Sequence, residues 1–156
     1  MSRIDTYEKG FLGLGAILLV ACLGALAYAS TVMHIHLPGD EGTLDPVMVL
    51  STPPFDNLGV PPVGENEYDV VFVGQVWVFR PAELRVPVGA KLNFIGTAAD
   101  VLHGFHVAGT RVNMMLIPGQ ISRNTYTFKE PGEYLILCHE YCGVGHHTMF
   151  GRIIVE

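Results

Sequence analysis

The segment Gly10–Met33 contains no charged residue and is rich in Leu, Ala and Gly, which constrains this part of the chain more than any other feature does. An α-helix rises ~1.5 Å per residue, so a helix of this length covers the ~30 Å hydrocarbon core of a bilayer with some tilt. We therefore predict a transmembrane helix at 10–33, preceded by a short N-terminal segment at 1–9.

A cleaved signal peptide is the alternative interpretation, because the Ala-Tyr-Ala at 27–29 resembles a cleavage site. The N-terminal segment lacks the net positive charge of a signal peptide, since Asp5 and Glu8 offset Arg3 and Lys9. We expect an uncleaved anchor that crosses the cell membrane once.

Basic residues set the expected orientation of this anchor. Arg3 and Lys9 precede it, and the next basic residue in the chain is Arg80. Lys and Arg are in excess on cytoplasmic flanks. The pattern therefore predicts a cytoplasmic N-terminus and places the rest of the chain on the outer, periplasmic side.

The overall charge excludes one class of partner. The chain has 9 Lys and Arg against 15 Asp and Glu, a formal net charge of −6. Nucleic acid binding depends on a basic surface that neutralises phosphates, so we expect no nucleic acid partner.

The remainder of the chain reads as a linker followed by a β domain. Residues 34–66 are rich in Pro, Gly and Asp without a clear period, and we interpret them as a linker over the domain or the membrane surface. At 67–156, short strand-like runs alternate with turn residues, which is typical of a β-sandwich or Greek-key barrel. The predicted strands are Tyr68–Val73, Gln75–Phe79, Leu84–Val86, Lys91–Ile95, Gly104–Val107, Asn113–Ile117, Ser122–Phe128, Glu133–Cys138 and Gly151–Val155. The candidate core residues are Leu92, Phe94, Ile95, Tyr126, Phe128, Tyr134, Ile136, Ile153 and Val155.

A run of metal-binding residue types lies near the C-terminus. Cys138, Cys142, His146 and Met149 follow one another with three, three and two residues between them. Thiolate and thioether favour copper(I), and imidazole suits both copper oxidation states. The run therefore indicates an electron-transfer copper site.

A second histidine segment upstream adds a further candidate ligand, His103. A β-sandwich can bring this segment beside the loop between its last two strands, where the cysteines lie. Two cysteines, rather than the single one of a mononuclear blue copper site, could bridge two coppers, each of which would take one histidine.

Two other interpretations of the run remain open. A Cys138–Cys142 disulfide would leave His146 and Met149 without a role, and a structural zinc site would leave Met149 without one. The third cysteine, Cys22, lies within the apolar segment and argues against a disulfide framework.

The ligand spacing resembles that of the binuclear CuA site in the cytochrome c oxidase subunit II family. The motif, preceded by His103, is Cys138-x-Glu140-x-Cys142-Gly143-x-x-His146-x-x-Met149. The resemblance extends from the anchor to Val155, and we predict an all-β, cupredoxin-like Greek-key sandwich or barrel with one N-terminal transmembrane helix. The implied ligands of the two coppers are the bridging thiolates of Cys138 and Cys142, one histidine for each copper (His103 and His146), the weak thioether of Met149 and the backbone carbonyl of Glu140.

The single anchor and the Tyr-Glu-Lys-Gly at its start, 7–10, resemble the B family of haem-copper oxidases. That resemblance makes Glu8 a candidate for the mouth of a proton-uptake path, with a solvated helix flank as the alternative. The segment 75–77 resembles the aromatic segment where electrons arrive from cytochrome c, which makes Trp77 a candidate for electron acceptance. The alternative role for Trp77 is a core aromatic.

Other polar residues near the motif have weaker assignments. We expect His106 to be structural or to lie at the rim of the site. His139 and His147 adjoin ligands and are expected to make outer hydrogen bonds. The Glu140 side chain resembles a residue that binds magnesium at the interface with subunit I.

The resemblance implies a membrane subunit that takes electrons from cytochrome c and passes them to haem in subunit I, where oxygen is reduced. Two alternatives remain at this point. One is the CuA subunit of a nitric oxide reductase, and the other is a membrane-tethered copper chaperone or storage protein.

Overall fold

The computed structural model describes residues 5–33 and 42–156 of the chain. They belong to two compact units, an N-terminal unit that contains one helix and a second unit built from strands. Residues 1–4 and 34–41, which include part of the predicted linker, lie outside the described residues.

Helix α1 spans Thr6–Thr31 and is long and apolar enough to cross a membrane, as predicted. Asp5 is its N-cap and accepts a hydrogen bond from the backbone N–H of Tyr7 at 3.0 Å. This cap satisfies one of the amides left free at a helix start. The helix therefore begins before residue 10, the predicted limit, because that limit was set where charged residues stop and not at the N-cap. Glu8 lies in the first turn of the helix.

Within residues 42–156, the β unit contains ten strands and two short 3-10 helices, Pro46–Ser51 and His146–Thr148. The strands are β1 (Pro62–Gly64), β2 (Glu67–Gln75), β3 (Val78–Arg80), β4 (Glu83–Val86), β5 (Lys91–Ala98), β6 (His103–Val107), β7 (Asn113–Leu116), β8 (Ser122–Tyr126), β9 (Gly132–Leu137) and β10 (Phe150–Val155). The predicted strand Gln75–Phe79 is wrong, because β2 continues through Gln75 and a turn at 76–77 precedes β3. Strand β1 was not predicted.

The strands form two sheets whose order confirms the predicted all-β sandwich. One sheet has the order β1-β2-β5-β8, with β3 also paired to β2, and the other has the order β4-β10-β9-β6-β7. Neighbours that are not consecutive in the chain require crossovers between the sheets, as in a Greek-key arrangement.

The main core lies between these sheets and is centred on Phe105. Its ring stacks on Phe72 at 4.0 Å and meets the edge of Phe79 at 5.4 Å between centroids. Such offset and edge contacts are the favoured geometries of aromatic pairs. The predicted core residues that are fully buried here are Leu92, Phe94, Phe128, Ile136, Ile153 and Val155, while Tyr126 and Tyr134 are partly buried against them.

The segment predicted as a linker forms a second layer on the outer face of the first sheet. Val49 and Phe55 are each 1% exposed and pack with Val71, Val73 and the predicted core residue Ile95. From residue 42 onward this segment therefore lies over the β domain, one of the two positions expected for it. The segment packs there because the unbroken apolar run at 70–73 puts hydrophobic side chains on both faces of β2.

We expect Phe55→Ala to lower the free energy of unfolding of the β unit by ~3–5 kcal/mol, the usual cost of removing a buried Phe side chain. Denaturant unfolding of the full chain in detergent, followed by Trp77 fluorescence, measures this change. Val47→Ala on the same segment is the control, because Val47 is 88% exposed; equal effects of the two substitutions would show that the segment does not pack as described.

Candidate metal centre

Strand register brings the two predicted ligand segments together at one end of the sandwich. In the antiparallel pair of β6 and β9, His106 lies opposite Leu137 and Val107 opposite Ile136. Continuing that register carries His103, the first residue of β6, past the end of β9 and beside residues 138–140. The histidine and the cysteine loop therefore meet because the strands that carry them are paired.

The loop 138–149 joins β9 to β10 and is closed at its base. Phe150 pairs with Leu137, and the backbone N–H of Cys138 donates to the carbonyl of Met149 at 3.3 Å. Inside the loop, His146, Thr148 and Met149 donate backbone hydrogen bonds to Gly143, Gly145 and His146, respectively. The first and last ligand candidates of the loop are thus neighbours across its neck.

The candidate ligand atoms converge on the two cysteine sulfurs. The Sγ atoms of Cys138 and Cys142 are 3.8 Å apart. His103 Nδ1 lies 4.0 Å from Cys138 Sγ, and His146 Nδ1 lies 3.6 Å from Cys142 Sγ. Met149 Sδ is 3.7 Å from Cys142 Sγ, and the carbonyl oxygen of Glu140 is 3.3 Å from Cys138 Sγ.

This donor set fits metal binding better than a disulfide. Both cysteines are free thiols, and their separation is well beyond the ~2.05 Å of a disulfide bond. Two sulfurs 3.8 Å apart can both contact one ion at typical metal–thiolate distances of ~2.3 Å. His103, Cys138 and Cys142 also place their ligand atoms within 4.8 Å of one another. The two thiols, two imidazoles and one thioether form the soft donor set that copper favours.

Most of the donor atoms are shielded from solvent. His103 is fully buried, Met149 is 2% exposed and Cys142 is 5% exposed. Burial, together with the neighbouring Cys138 thiol, raises the pKa of the Cys142 thiol to about 11. The metal-free thiol is therefore protonated at neutral pH, so metal binding must release its proton.

Asp100, to which the sequence analysis gave no role, orients His103. Its Oδ1 lies 2.8 Å from His103 Nε2, and its two oxygens accept 2.7 Å hydrogen bonds from the backbone N–H groups of Val76 and Val101. Burial acts to raise the pKa of Asp100, but these hydrogen bonds outweigh it and the pKa lies below its ordinary value. An ionised carboxylate only accepts, so Nε2 carries the proton and Nδ1 is free to face the sulfurs.

Trp77 lies beside the ligand loop rather than in the core. It is 39% exposed, and its Nε1–H donates to the carbonyl of Cys142 at 3.1 Å. The core-aromatic alternative for Trp77 is therefore wrong. Its role in electron acceptance remains a prediction.

The other candidate residues occupy the surroundings of the site or another part of the chain. The half-buried His106 makes a 3.1 Å contact from Nδ1 to the carbonyl of Val112, in keeping with a structural role. His139 lies 3.6 Å from the Glu140 carboxylate, and His147 is exposed. Glu8 lies on α1, in the other unit.

An apolar groove of about 310 Å³ opens directly over the ligands. It is lined by Leu135, Leu137, Cys138, His146, His147, Met149 and Phe150. Among the residues that the structure describes, those lining the groove include no Asp, Glu, Lys or Arg. A partner can thus approach the ligands over a largely apolar surface.

Comparisons with known proteins agree on one family. The family model described as "Cytochrome C oxidase subunit II, periplasmic domain" matches residues 71–156. The chain is 38% identical over 157 residues to a cytochrome c oxidase subunit 2 of Thermus thermophilus, a match that covers 98% of this chain and 94% of the relative. A second Thermus thermophilus relative with the same name is 43% identical over 115 residues, covering 72% and 85% of the two chains.

Solved structures give the same result. A chain in the cryo-EM structure of a haem-copper terminal oxidase dimer matches with a TM-score of 0.77 and 35% identity, covering 96% of this chain and 99% of that one. The periplasmic domain of subunit II from Bradyrhizobium japonicum matches with a TM-score of 0.53 and 23% identity, covering 56% and 83%. The second match supports the fold alone, in agreement with the predicted cupredoxin-like sandwich.

We expect Asp100→Ala to weaken copper binding by about 10–100-fold, the usual effect of removing the partner that orients a metal-bound histidine. Competition with a copper(I) chelator on the full chain in detergent measures the affinity. Asp56→Ala is the control, because Asp56 is exposed and lies outside the site. An unchanged affinity for Asp100→Ala would contradict the orienting role.

Proposed function

Because the chain belongs to the cytochrome c oxidase subunit II family, we propose that it is the electron-accepting subunit of a terminal haem-copper oxidase, taking electrons from cytochrome c at a binuclear CuA centre for delivery to haem in subunit I. Its relatives are part of an oxidoreductase complex, and we assign oxygen reduction to the partner subunit. The observation that carries the proposal is the pair of cysteine sulfurs 3.8 Å apart, each facing the Nδ1 of a different histidine.

The donor residues divide into two near-symmetrical sets. Cys138 has His103 and the Glu140 carbonyl beside it, and Cys142 has His146 and Met149. These residues would hold the two coppers, and the bound metal would supply one-electron transfer. The chain's part is to hold these donors in fixed positions within a largely buried pocket.

Burial of the donors favours electron transfer over copper delivery. A chaperone must expose its ligands so that an acceptor can displace them, whereas His103 is fully buried and Met149 is 2% exposed. The orientation of His103 by Asp100 adds a fixed second layer around the site. A rigid, enclosed donor set suits a resident cofactor.

The groove over the ligands is the proposed docking surface for the donor cytochrome. Phe150 is 60% exposed, and Leu135 and Leu137 are 43% and 38% exposed at its edge. The groove floor includes the ligands Cys138, His146 and Met149, so a donor seated there comes close to the site. Because the lining contains no Asp, Glu, Lys or Arg, we expect association to depend on apolar contact more than on long-range steering.

The helix and the family match together indicate a single-pass membrane protein. We propose that its N-terminus is cytoplasmic and that the metal-binding unit lies on the periplasmic side, on the basis of Arg3 and Lys9, which precede the uncharged segment 10–33. This orientation leaves the groove accessible to a donor outside the membrane.

The copper content and the electron spin resonance of the purified complex test the proposed function. We expect two coppers in the subunit and, in the mixed-valence state, a spin signal spread over two copper nuclei. Cys138→Ser should abolish this signal, because one bridging thiolate is lost, while the exposed Tyr141→Phe serves as the control. A mononuclear spectrum from the unaltered complex would exclude a CuA site, and turnover with nitric oxide but not oxygen would identify a nitric oxide reductase.

The apolar groove leads to a prediction about ionic strength. We expect the rate of electron uptake from cytochrome c to change less than about twofold between ~50 and ~200 mM salt, because screening weakens only charge-steered association. Phe150→Ala should slow uptake about tenfold, the loss expected for an aromatic interface contact of ~1–2 kcal/mol.

Val88→Ala is the matched control, because Val88 is 42% exposed and lies beyond the opposite end of β10 from the ligand loop. A steep decrease of the rate with salt, or equal rates for the Phe150 and Val88 variants, would contradict docking in the groove.

Glu8 remains the candidate for proton uptake. We expect Glu8→Gln to lower both the turnover and the proton uptake of the intact complex, because the amide cannot exchange a proton. The copper signal should be unchanged, and Glu8→Asp, which keeps the carboxylate, is the control. Unchanged proton uptake in Glu8→Gln would remove Glu8 from the mechanism.

A further inference from the structure

The turn between β2 and β3, formed by Val76 and Trp77, reaches both segments that carry the candidate ligands. Trp77 contacts the ligand loop through its side chain, and its Nε1–H donates to the carbonyl of Cys142 at 3.1 Å. This hydrogen bond holds the backbone of a residue whose side chain is one of the two thiols.

Two glycines of the loop provide the space for the indole. Gly145 has φ −92° and ψ 8°, a sparsely populated backbone conformation that residues with a side chain also adopt. A Cβ at this position would nevertheless lie 2.7 Å from Cγ and from Cε3 of Trp77, closer than packed atoms allow. The missing side chain at 145 is therefore required by the tryptophan ring and not by the backbone.

Gly143 is constrained in two ways. Its φ of +113° lies in the region that favours glycine, and a Cβ there would lie 3.3 Å from Nε1 of Trp77. The ring thus rests on the loop at 143 and 145 while it is hydrogen-bonded at 142. These three contacts fix the loop between Cys142 and His146.

The same turn reaches the other ligand segment through its backbone. The N–H of Val76 donates to Asp100 Oδ2 at 2.7 Å, and Asp100 Oδ1 lies 2.8 Å from Nε2 of His103. Two neighbouring residues therefore connect to Cys142 on one side and to His103 on the other. A shift of the turn would move both halves of the donor set.

We propose that Trp77 is a positioning residue, which holds the loop 142–146 against the β2–β3 turn and so sets the relative placement of the two halves of the metal site. This role rests on the metal site of the proposed function but is separate from any passage of electrons through the ring. It requires the indole N–H and the ring surface, and it operates with or without metal.

Amide hydrogen exchange in the metal-free full chain, in detergent, tests the positioning role directly. The amides of His146, Thr148 and Met149 are protected by hydrogen bonds inside the loop. In Trp77→Phe, which keeps an aromatic ring but loses the N–H, we expect them to exchange roughly fivefold faster, as for the loss of one hydrogen bond. After copper loading, the same variant should show a changed copper hyperfine pattern.

Tyr134→Phe is the matched control, because it also removes a hydrogen bond from an aromatic side chain to a backbone carbonyl, that of Glu130 at 3.1 Å. Tyr134 lies near the start of β9, away from the loop. Loss of the Tyr134 hydrogen bond should leave both the exchange rates of the loop amides and the copper spectrum unchanged.

A second pair of variants tests the contact between the Trp77 ring and Gly145. Gly145→Ala should also speed exchange of the loop amides, because its methyl group displaces the indole. Trp77→Val removes the ring atoms that this methyl group meets. The effect of the two substitutions together should therefore be smaller than the sum of the single effects. Strictly additive effects would contradict the contact.

The outcomes separate this proposal from the proposed function. Unchanged loop exchange and an unchanged spectrum in Trp77→Phe, with slower electron uptake, would overturn the positioning role and leave the electron-accepting function intact. If the unaltered chain binds no pair of coppers, the proposed function fails. In that case, loop-amide exchange in the metal-free chain alone tests the positioning role. Faster exchange in Trp77→Phe would support the role, and unchanged exchange would overturn it.

Discussion

The antiparallel pairing of β9 with both β6 and β10 is the constraint on which the metal site depends. Pairing with β10 closes the neck of the loop 138–149, and pairing with β6 places His103 beside its first residues. Each pairing is fixed by alternating side chains, since a slip of one residue would turn the buried Ile136 and Phe105 towards solvent. The core between the sheets thereby sets the distance between residues far apart in the chain.

Burial gives the donor set its chemical character. Away from water, thiols, imidazoles and a thioether have few competing partners, and the pKa of Cys142 is raised. Such a pocket strongly favours an ion that replaces the thiol protons and satisfies the lone pairs. Asp100 contributes the fixed charge, directing one nitrogen of His103 towards the sulfurs.

The position of the site explains how an enclosed centre remains accessible. On the side that faces the sandwich core, the donors are buried. On the opposite side, they lie beneath the short apolar groove edged by Leu137 and Phe150. A partner that covers the groove can approach the donors without displacing any of them. A partner surface seated on the groove would also shield the donors from water.

Local sequence patterns were sufficient for most of the strands. Turn residues such as Pro118-Gly119 and Pro131-Gly132 mark the breaks between strands, and apolar runs such as 134–137 mark where strands lie. The turn at Val76–Trp77 was missed because the apolar run at 76–79 has no Gly or Pro to interrupt it. The sequence left open whether residues 42–66 lie over the domain or over the membrane surface, because their packing depends on the outer face of β2, which no local pattern in the segment reveals.

The sequence by itself determined the chemistry of this protein, since the spacing of Cys138, Cys142, His146 and Met149 presents soft donors within one short loop, and it determined the apolar helix at the N-terminus. Only the tertiary structure decided which residues support that chemistry. Asp100 and Trp77 act through contacts with residues that lie 3 to 65 positions away. Such contacts depend on how strands pair and pack, and a one-dimensional spacing carries no record of them.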